Sequence, residues 1–286
     1  ETSGSILSPS SSSSLVGLKP TVGLLSRGGI VPISSTLDTP GPMTKSVIDN
    51  AILLSAMTGE DPKDIATADN PKHVEYWQNL STASLKGMRF GVNKSFLSDS
   101  VYLTNIKNLT SLGAITIVYE PEEIKLNGFS TLLRGDMKLD LTTYLSEYGS
   151  STLSVKNPAD IVAYNIEDTI IRIPYGQGRF AGIVEEEISE KSLDSLRIAL
   201  KEAATAFFEN PIQEHKLDAI LSKNNRGARY AAAAKYPCLT VPMGYDDEGR
   251  PVGLTFIARP FEEDKLLMMA YAFEQGTKLR NPPAGY

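Results

Sequence analysis

A serine near the start of the chain has neighbours that suit nucleophilic catalysis. Ser5 follows Ser3 and Gly4 and precedes the apolar Ile6, so a tight turn there can expose its hydroxyl group. A nucleophilic serine also needs backbone N–H groups that converge on the oxygen that becomes negative during attack on a carbonyl. The small residues give the backbone that freedom. The same residues also fit a flexible glycine-serine segment, which these few positions alone favour.

The segments that follow Ser5 change this balance. Residues 15–21 read Leu-Val-Gly-Leu-Lys-Pro-Thr, and residues 38–43 read Asp-Thr-Pro-Gly-Pro-Met before a helical pattern. With an acidic residue, Glu1, four positions before Ser5, this order closely resembles the amidase signature family. Segments between residues 236 and 261 resemble the same family. The combination is highly specific, whereas Gly-Ser-Ile alone is not.

The resemblance implies a role for each residue of the first turn. Ser5 is expected to be the acyl-enzyme nucleophile of an amidase that hydrolyses a carboxylic amide, and the backbone N–H groups of Thr2, Ser3, Gly4 and Ser5 are expected to form the substrate-binding oxyanion hole. The family uses a serine, a cis-serine and a lysine, and needs no metal or organic cofactor. Its cis-serine and lysine lie upstream of the nucleophile, at positions that this chain does not contain. We therefore expect a C-terminal part of a longer enzyme, whose N-terminal segment supplies both groups. Lys19 lies downstream of the nucleophile and is expected to be a structural or surface residue.

Two positions depart from the family pattern. Leu7 stands where an arginine usually follows Gly-Ser-Ile, and Ser3 stands where glycine or alanine is commoner. The related glutaminase-like subunit of a tRNA-dependent amidotransferase remains an alternative, although Leu7 weighs against it because that subunit normally has the arginine. A catalytically incomplete fragment with a structural or interaction role is the alternative from another class.

Composition narrows the possible partners. The 286 residues carry a net charge of -6, which argues against nucleic acid as a partner because phosphate binding depends on Lys and Arg. No apolar run approaches the ~20 residues of a membrane-spanning helix. A small-molecule amide substrate and a cytoplasmic location are expected.

The cysteine and the two histidines offer no second set of catalytic groups. The single cysteine, Cys238, lies in an apolar run and is expected to be a buried small hydrophobe. His73 and His215 lie far apart and lack the spacing of a metal pair or of a Ser-His-Asp triad. This scarcity favours a lysine-based mechanism for a serine hydrolase.

The elements that must position Ser5 follow from hydrophobic periodicity. Residues 88–118 read as a strand, a helix and a second strand, which predicts a βαβ unit with parallel strands. Residues 238–243 and 252–258 read as strands of a hairpin, and the serine run 8–14 is expected to form a packed turn and helix start behind the nucleophile. Further helices are predicted near residues 46–58, 129–148, 158–167, 189–209, 231–234 and 262–278.

The predicted fold is an α/β/α sandwich of the amidase signature type with a mixed central sheet. We assign residues 1–286 to a single domain that is incomplete at its N-terminus. Its middle region offers four candidates for substrate contact, although an apolar stripe of this kind is more often core. These candidates are Met137, Leu141, Tyr144 and Tyr175.

Overall fold

The apolar runs of the sequence form the centre of one mixed sheet. The computed structural model describes residues 1–70 and 74–283, and in that part seven strands pair in the order β2-β1-β6-β7-β5-β3-β4. Strands β3, β4 and β5 are mutually parallel, whereas the other pairs are antiparallel. The strands are β1 Val16–Lys19, β2 Met43–Thr44, β3 Arg89–Asn93, β4 Ile115–Tyr119, β5 Ala219–Lys223, β6 Cys238–Tyr245 and β7 Pro251–Ile257. The predicted mixed sheet is confirmed.

Helices cover both faces of this sheet. They are α1 Leu7–Ser12, α2 Val47–Met57, α3 Ser100–Ser111, α4 Phe129–Tyr148, α5 Pro158–Ile166, α6 Thr169–Arg172, α7 Gly178–Val184, α8 Glu190–His215, α9 Ala228–Ala234 and α10 Glu263–Thr277. One buried apolar cluster joins the sheet to α2, α3 and α10, and a second joins it to α1, α4, α8 and α9. Continuous apolar runs such as that of β6 suit this arrangement, because a central strand is buried on both faces. The predicted α/β/α sandwich is therefore confirmed.

The predicted βαβ unit and hairpin are also present. Strand β3, helix α3 and strand β4 follow one another, and β3 pairs with β4 in parallel. Asp99 begins α3, since its Oδ1 accepts a hydrogen bond of 2.8 Å from the N–H of Tyr102. Strands β6 and β7 form the antiparallel hairpin.

Two helix predictions need correction. The apolar spacing of residues 47–55 predicts that Ile48 and Ile52 lie on the inward face of α2, but they are 38% and 49% exposed. The buried residues of this helix are Val47, Asn50, Ala51, Leu54 and Ser55. Helix α8 was expected to end near residue 209 but continues through Pro211 to His215. Pro211 and Ile212 are buried, so tertiary packing outweighs the helix-breaking tendency of proline.

Candidate active site

The turn that carries Ser5 has a conformation that requires glycine. Gly4 has φ +128°, and a Cβ placed on it would lie 3.1 Å from the Asn225 Nδ2 atom. Gly4 is buried, whereas the next residue, Ser5, is exposed. The Ser5 hydroxyl makes no hydrogen bond to any described residue. The turn therefore presents this hydroxyl group at the surface of a cavity, as the sequence predicts.

Two carboxylates hold the turn in place. Glu1 Oε2 accepts hydrogen bonds of 2.6 and 3.0 Å from the N–H groups of Ile6 and Leu7. The Thr2 hydroxyl donates to Asp38 Oδ1 over 2.5 Å. The other oxygen of Asp38 accepts from two N–H groups of the 33–34 segment, each at 2.8 Å. Both sides of the turn are thus fixed by charge-assisted bonds, which are stronger than neutral ones.

The N–H groups of this turn are left without protein acceptors. Among residues 1–70 and 74–283, no oxygen accepts a hydrogen bond from the backbone nitrogen of Thr2, Ser3, Gly4 or Ser5. The Thr2 side chain is engaged by Asp38, so only its backbone is open to a ligand. Four consecutive unpaired donors beside an exposed hydroxyl are what an oxyanion site needs.

Helix α1 lies unusually close to the sheet behind Ser5. A Cβ on Gly17 would lie 2.2 Å from Ser10 Oγ, and one on Gly253 would lie 2.7 Å from Ser11 Oγ. Ser10 and Ser11 are buried. The serine run therefore packs as predicted, because only small side chains allow this approach of helix and strands.

The cavity at Ser5 has a volume of about 800 Å³. Thr2, Ser3 and Ser5 line it on the nucleophile side, and Ile33, α4, α7 and Arg229 of α9 contribute the rest. Of the four candidates for substrate contact, Met137 lines this cavity. Leu141 is buried, Tyr144 lines a different cavity and Tyr175 projects into solvent. The described residues that line it are Thr2, Ser3, Ser5, Ile33, Phe129, Ser130, Leu133, Arg134, Met137, Gly178, Arg179, Phe180, Gly182, Ile183 and Arg229.

Sequence reasoning missed the three arginines of this cavity. Arg134, Arg179 and Arg229 belong to three separate helices, and neither a shared motif nor a regular spacing connects them. Only the folded arrangement places their guanidinium groups around one space.

Lys19 is structural and lies away from the surface. Its side chain is fully buried, and its Nζ atom donates to the carbonyl of Pro20 over 2.9 Å. Burial lowers the pKa of Lys19, while the nearby Cys238, Glu1 and Glu263 act in the opposite direction. Lys19 is not among the residues that line the Ser5 cavity. Of the two predicted roles, the structural one is confirmed.

The remaining candidates for chemistry lie elsewhere. Cys238 is buried, and burial raises the pKa of its thiol to about 12, as expected for a small hydrophobe. His215 ends α8 and does not line the cavity, whereas His73 lies outside the described residues. In residues 1–70 and 74–283, no group of three or more His, Cys, Asp or Glu side chains is arranged to hold a metal ion.

Comparison with known proteins agrees with this geometry. The family model described as amidase matches residues 1–133. A probable amidase of Arabidopsis thaliana is 38% identical over 298 residues, which cover 99% of this chain and 57% of that protein. The chain belongs to the amidase signature family. The predicted resemblance is confirmed.

Further relatives of this amidase signature chain include a peptide amidase and an amidotransferase subunit. The solved structure of the native peptide amidase from Stenotrophomonas maltophilia superposes with a TM-score of 0.92 at 33% identity, covering 99% of this chain and 62% of that one. A glutamyl-tRNA(Gln) amidotransferase subunit of Thermoanaerobacter pseudethanolicus is 31% identical, over 99% of this chain and 63% of that protein. The chain spans about three fifths of the length of these relatives.

One further structural feature concerns membranes. Within the described part of the chain, every helix is too short or too polar to cross a bilayer.

Proposed function

We propose that this chain carries the nucleophile of a serine amidase, which hydrolyses a carboxylic amide to an acid and an amine or ammonia. One observation carries the proposal. The exposed Ser5 hydroxyl lies beside four backbone N–H groups that have no acceptor among the described residues, at the wall of a cavity of about 800 Å³. This combination supplies a nucleophile and an oxyanion site at one place.

The base of the reaction would come from residues that precede Glu1. Among the described residues, no lysine lines the Ser5 cavity, and the buried Lys19 donates to Pro20 instead. The resembled family places a lysine and a cis-serine upstream of the nucleophile. In the proposed enzyme, a neutral lysine accepts the Ser5 proton through the cis-serine hydroxyl.

The chemical steps then follow from this arrangement. Ser5 Oγ forms a bond to the carbonyl carbon, and the N–H groups of Thr2 to Ser5 donate to the oxygen that becomes negative. The C–N bond breaks as the relay returns the proton to the departing amine. Water attacks the resulting ester, its proton passes to the relay, and the acid leaves with Ser5 restored. Loss of one oxyanion donor would raise the barrier by roughly 3–4 kcal/mol.

The amidase function is favoured over that of an amidotransferase subunit. The probable amidase is 38% identical to this chain, whereas the amidotransferase subunit is 31% identical. Leu7 is only 1% exposed and belongs to the apolar cluster between the sheet and α8. An arginine at that position would bring an unpaired charge into this cluster, at a large desolvation cost. The packing around position 7 therefore favours leucine over the arginine that is usual in the amidotransferase subunit.

A sulfonyl fluoride tests the proposal directly. We expect the full-length enzyme to gain one adduct, measured as a shift in intact mass and located at Ser5 by peptide mapping. Ser5→Ala should abolish both the adduct and amide turnover, whereas Ser12→Ala, an exposed serine at the end of α1, should preserve both. Circular dichroism should show the same fold in both variants.

The chain of 286 residues alone provides the second arm of this experiment. Without the lysine and cis-serine we expect neither adduct nor turnover. Labelling of a different serine in the full-length enzyme, or amide turnover that survives Ser5→Ala, would contradict the assignment. Labelling of Ser5 in the isolated chain would show that the base does not come from upstream residues.

A further inference from the structure

The cavity at Ser5 has an unbalanced charge. Among residues 1–70 and 74–283, fifteen residues line it, of which three are arginines and none is an aspartate or a glutamate. This imbalance occurs in a chain whose net charge is -6. Positive charge is thus concentrated where a substrate would bind, although the chain as a whole is negatively charged.

Two of these arginines have no carboxylate partner in the part of the chain that the structure describes. Arg134 has a partner, since its Nη1 atom lies 3.7 Å from Glu186 Oε2. Arg179 and Arg229 form no ion pair and no hydrogen bond with any residue of the ranges 1–70 and 74–283. Their side chains are exposed to the cavity and to solvent. Two guanidinium groups, each able to bind a carboxylate through two parallel N–H bonds, are therefore available to a ligand.

Arg229 is placed close to the nucleophile by backbone packing. The preceding residue, Ala228, has its Cβ 3.8 Å from the position that a Cβ on Gly4 would take. The Arg229 guanidinium lies 5.3 Å from the centre of the Phe129 ring, which is buried and also lines the cavity. Stacking on an aromatic face orients a guanidinium group and leaves its N–H edge free.

Arg179 lines the same cavity from helix α7. It is the second residue of α7, and Phe180 and Ile183 of the same helix line the cavity beside it. The apolar lining lowers the local dielectric constant, so an anion between the two arginines would be attracted more strongly than in open water.

We propose that this cavity selects amides that carry a carboxylate group, which Arg179 and Arg229 bind while the amide carbonyl lies at Ser5. This inference rests on the proposed function for the identity of the reacting bond. The simplest such ligand is the monoamide of a dicarboxylic acid. The carboxylate would accept charge-assisted hydrogen bonds from guanidinium groups that have no acidic partner among the described residues.

Binding of two matched probes to Ser5→Ala protein tests the selection. Succinamate and succinamide differ in one end group, a carboxylate or a neutral amide, and neither is consumed when Ser5 is absent. Isothermal titration should give a dissociation constant about 10- to 100-fold lower for succinamate at low ionic strength, as expected for hydrogen bonds to a charged group. Salt at about 1 M should reduce this preference, because it screens charges in an open cavity.

Arginine variants connect the preference to its proposed source. Arg179→Gln and Arg229→Gln together should bring succinamate to the affinity of succinamide, and each alone should lose about half of the preference on a logarithmic scale. Arg229→Lys retains the charge without the planar fork and should give an intermediate result. Arg250→Gln, an exposed arginine of the β6–β7 loop, is the matched control and should leave the preference unchanged.

The outcomes separate this inference from the proposed function. A missing preference for succinamate, whether both probes bind or neither does, overturns the inference, as does a preference that survives loss of both arginines. Because the binding assay uses Ser5→Ala protein, it does not depend on catalysis. A preserved preference in a protein whose Ser5 fails to react with sulfonyl fluoride would support the carboxylate site and overturn the amidase assignment.

Discussion

The two walls of the Ser5 cavity are built differently. The nucleophile wall rests on the sheet through α1, where Leu7 is 1% exposed and Ser10 is fully buried. The rest of the lining lies mainly on α4 and α7. The segment that joins these helices in the chain is more open, since Ile170 and Ile171 of α6, which do not line the cavity, are 84% and 77% exposed. The amidase family model ends at residue 133, near the start of α4. Close packing keeps the reacting groups in register, while the more exposed segment between α4 and α7 is free to vary with the substrate.

Adding one methyl group to each wall should give the largest difference between them. Gly17→Ala should destabilise the protein by about 3 kcal/mol, because its Cβ would lie 2.2 Å from Ser10 Oγ beneath the nucleophile. Gly182→Ala in α7 should instead stabilise it by about 0.5–1 kcal/mol, since its Cβ would lie 3.6 Å from Arg134 Cδ, an ordinary contact. Urea unfolding of both variants measures the difference. Equal effects at the two glycines would show that the walls are packed alike.

Two glycines with positive φ provide the next contrast between the walls. Gly4→Ala should cost about 1–2 kcal/mol of stability and reduce labelling of Ser5 by sulfonyl fluoride in the full-length enzyme, because φ +128° is strained for alanine and Asn225 lies 3.1 Å away. Gly176 has φ +78°, and a Cβ placed on it would have open space around it. Gly176→Ala should cost about 1 kcal/mol and leave the labelling rate unchanged. Loss of labelling in Gly176→Ala would contradict the separation of the two regions.

The smallest expected effect concerns the Arg27–Asp64 ion pair. Arg27 donates to both Asp64 oxygens, at 2.8 and 2.6 Å, and these bonds lower the pKa of Asp64 to about 2. A lowered pKa stabilises the fold above the unfolded value near 4, and this contribution is lost as the pH falls towards 2. Asp64→Asn should therefore lower the free energy of unfolding by about 1 kcal/mol at pH 6, a value that allows for solvent screening. This difference from the unmodified protein should shrink towards zero as the pH falls to 2.

Denaturant unfolding between pH 2 and pH 6 measures this dependence. Asp246→Asn is the matched control, because Asp246 also pairs with an arginine, Arg250, but in an exposed hairpin loop. Its effect should be smaller than that of Asp64→Asn, since water screens the pair. A pH dependence of equal size in both variants would show that the Arg27–Asp64 pair contributes no more than a surface pair.

Local order in the sequence determined much of the nucleophile wall. The Ser3-Gly4-Ser5 turn and the βαβ unit each depend on residues that are near one another in the chain, so their spacing is visible before folding. The roles of Ser5 and of the N–H groups from Thr2 to Ser5 also followed from such a local motif, and they stay predictions until labelling tests them. Hydrophobic periodicity gave the wrong burial for Ile48 and Ile52. It shows which side of a helix is apolar, but it does not show how much of that side the rest of the protein covers.

Only the tertiary structure brought Arg134, Arg179 and Arg229 to one cavity, since helices far apart in the chain converge there. The same holds for Leu7, whose burial depends on strands more than 200 residues away, and for Pro211, which packing retains inside α8. The physical reason is common to these cases. Turns and strands are selected by short-range sterics and hydrophobic patterning, whereas a ligand site depends on through-space distances that no local pattern encodes.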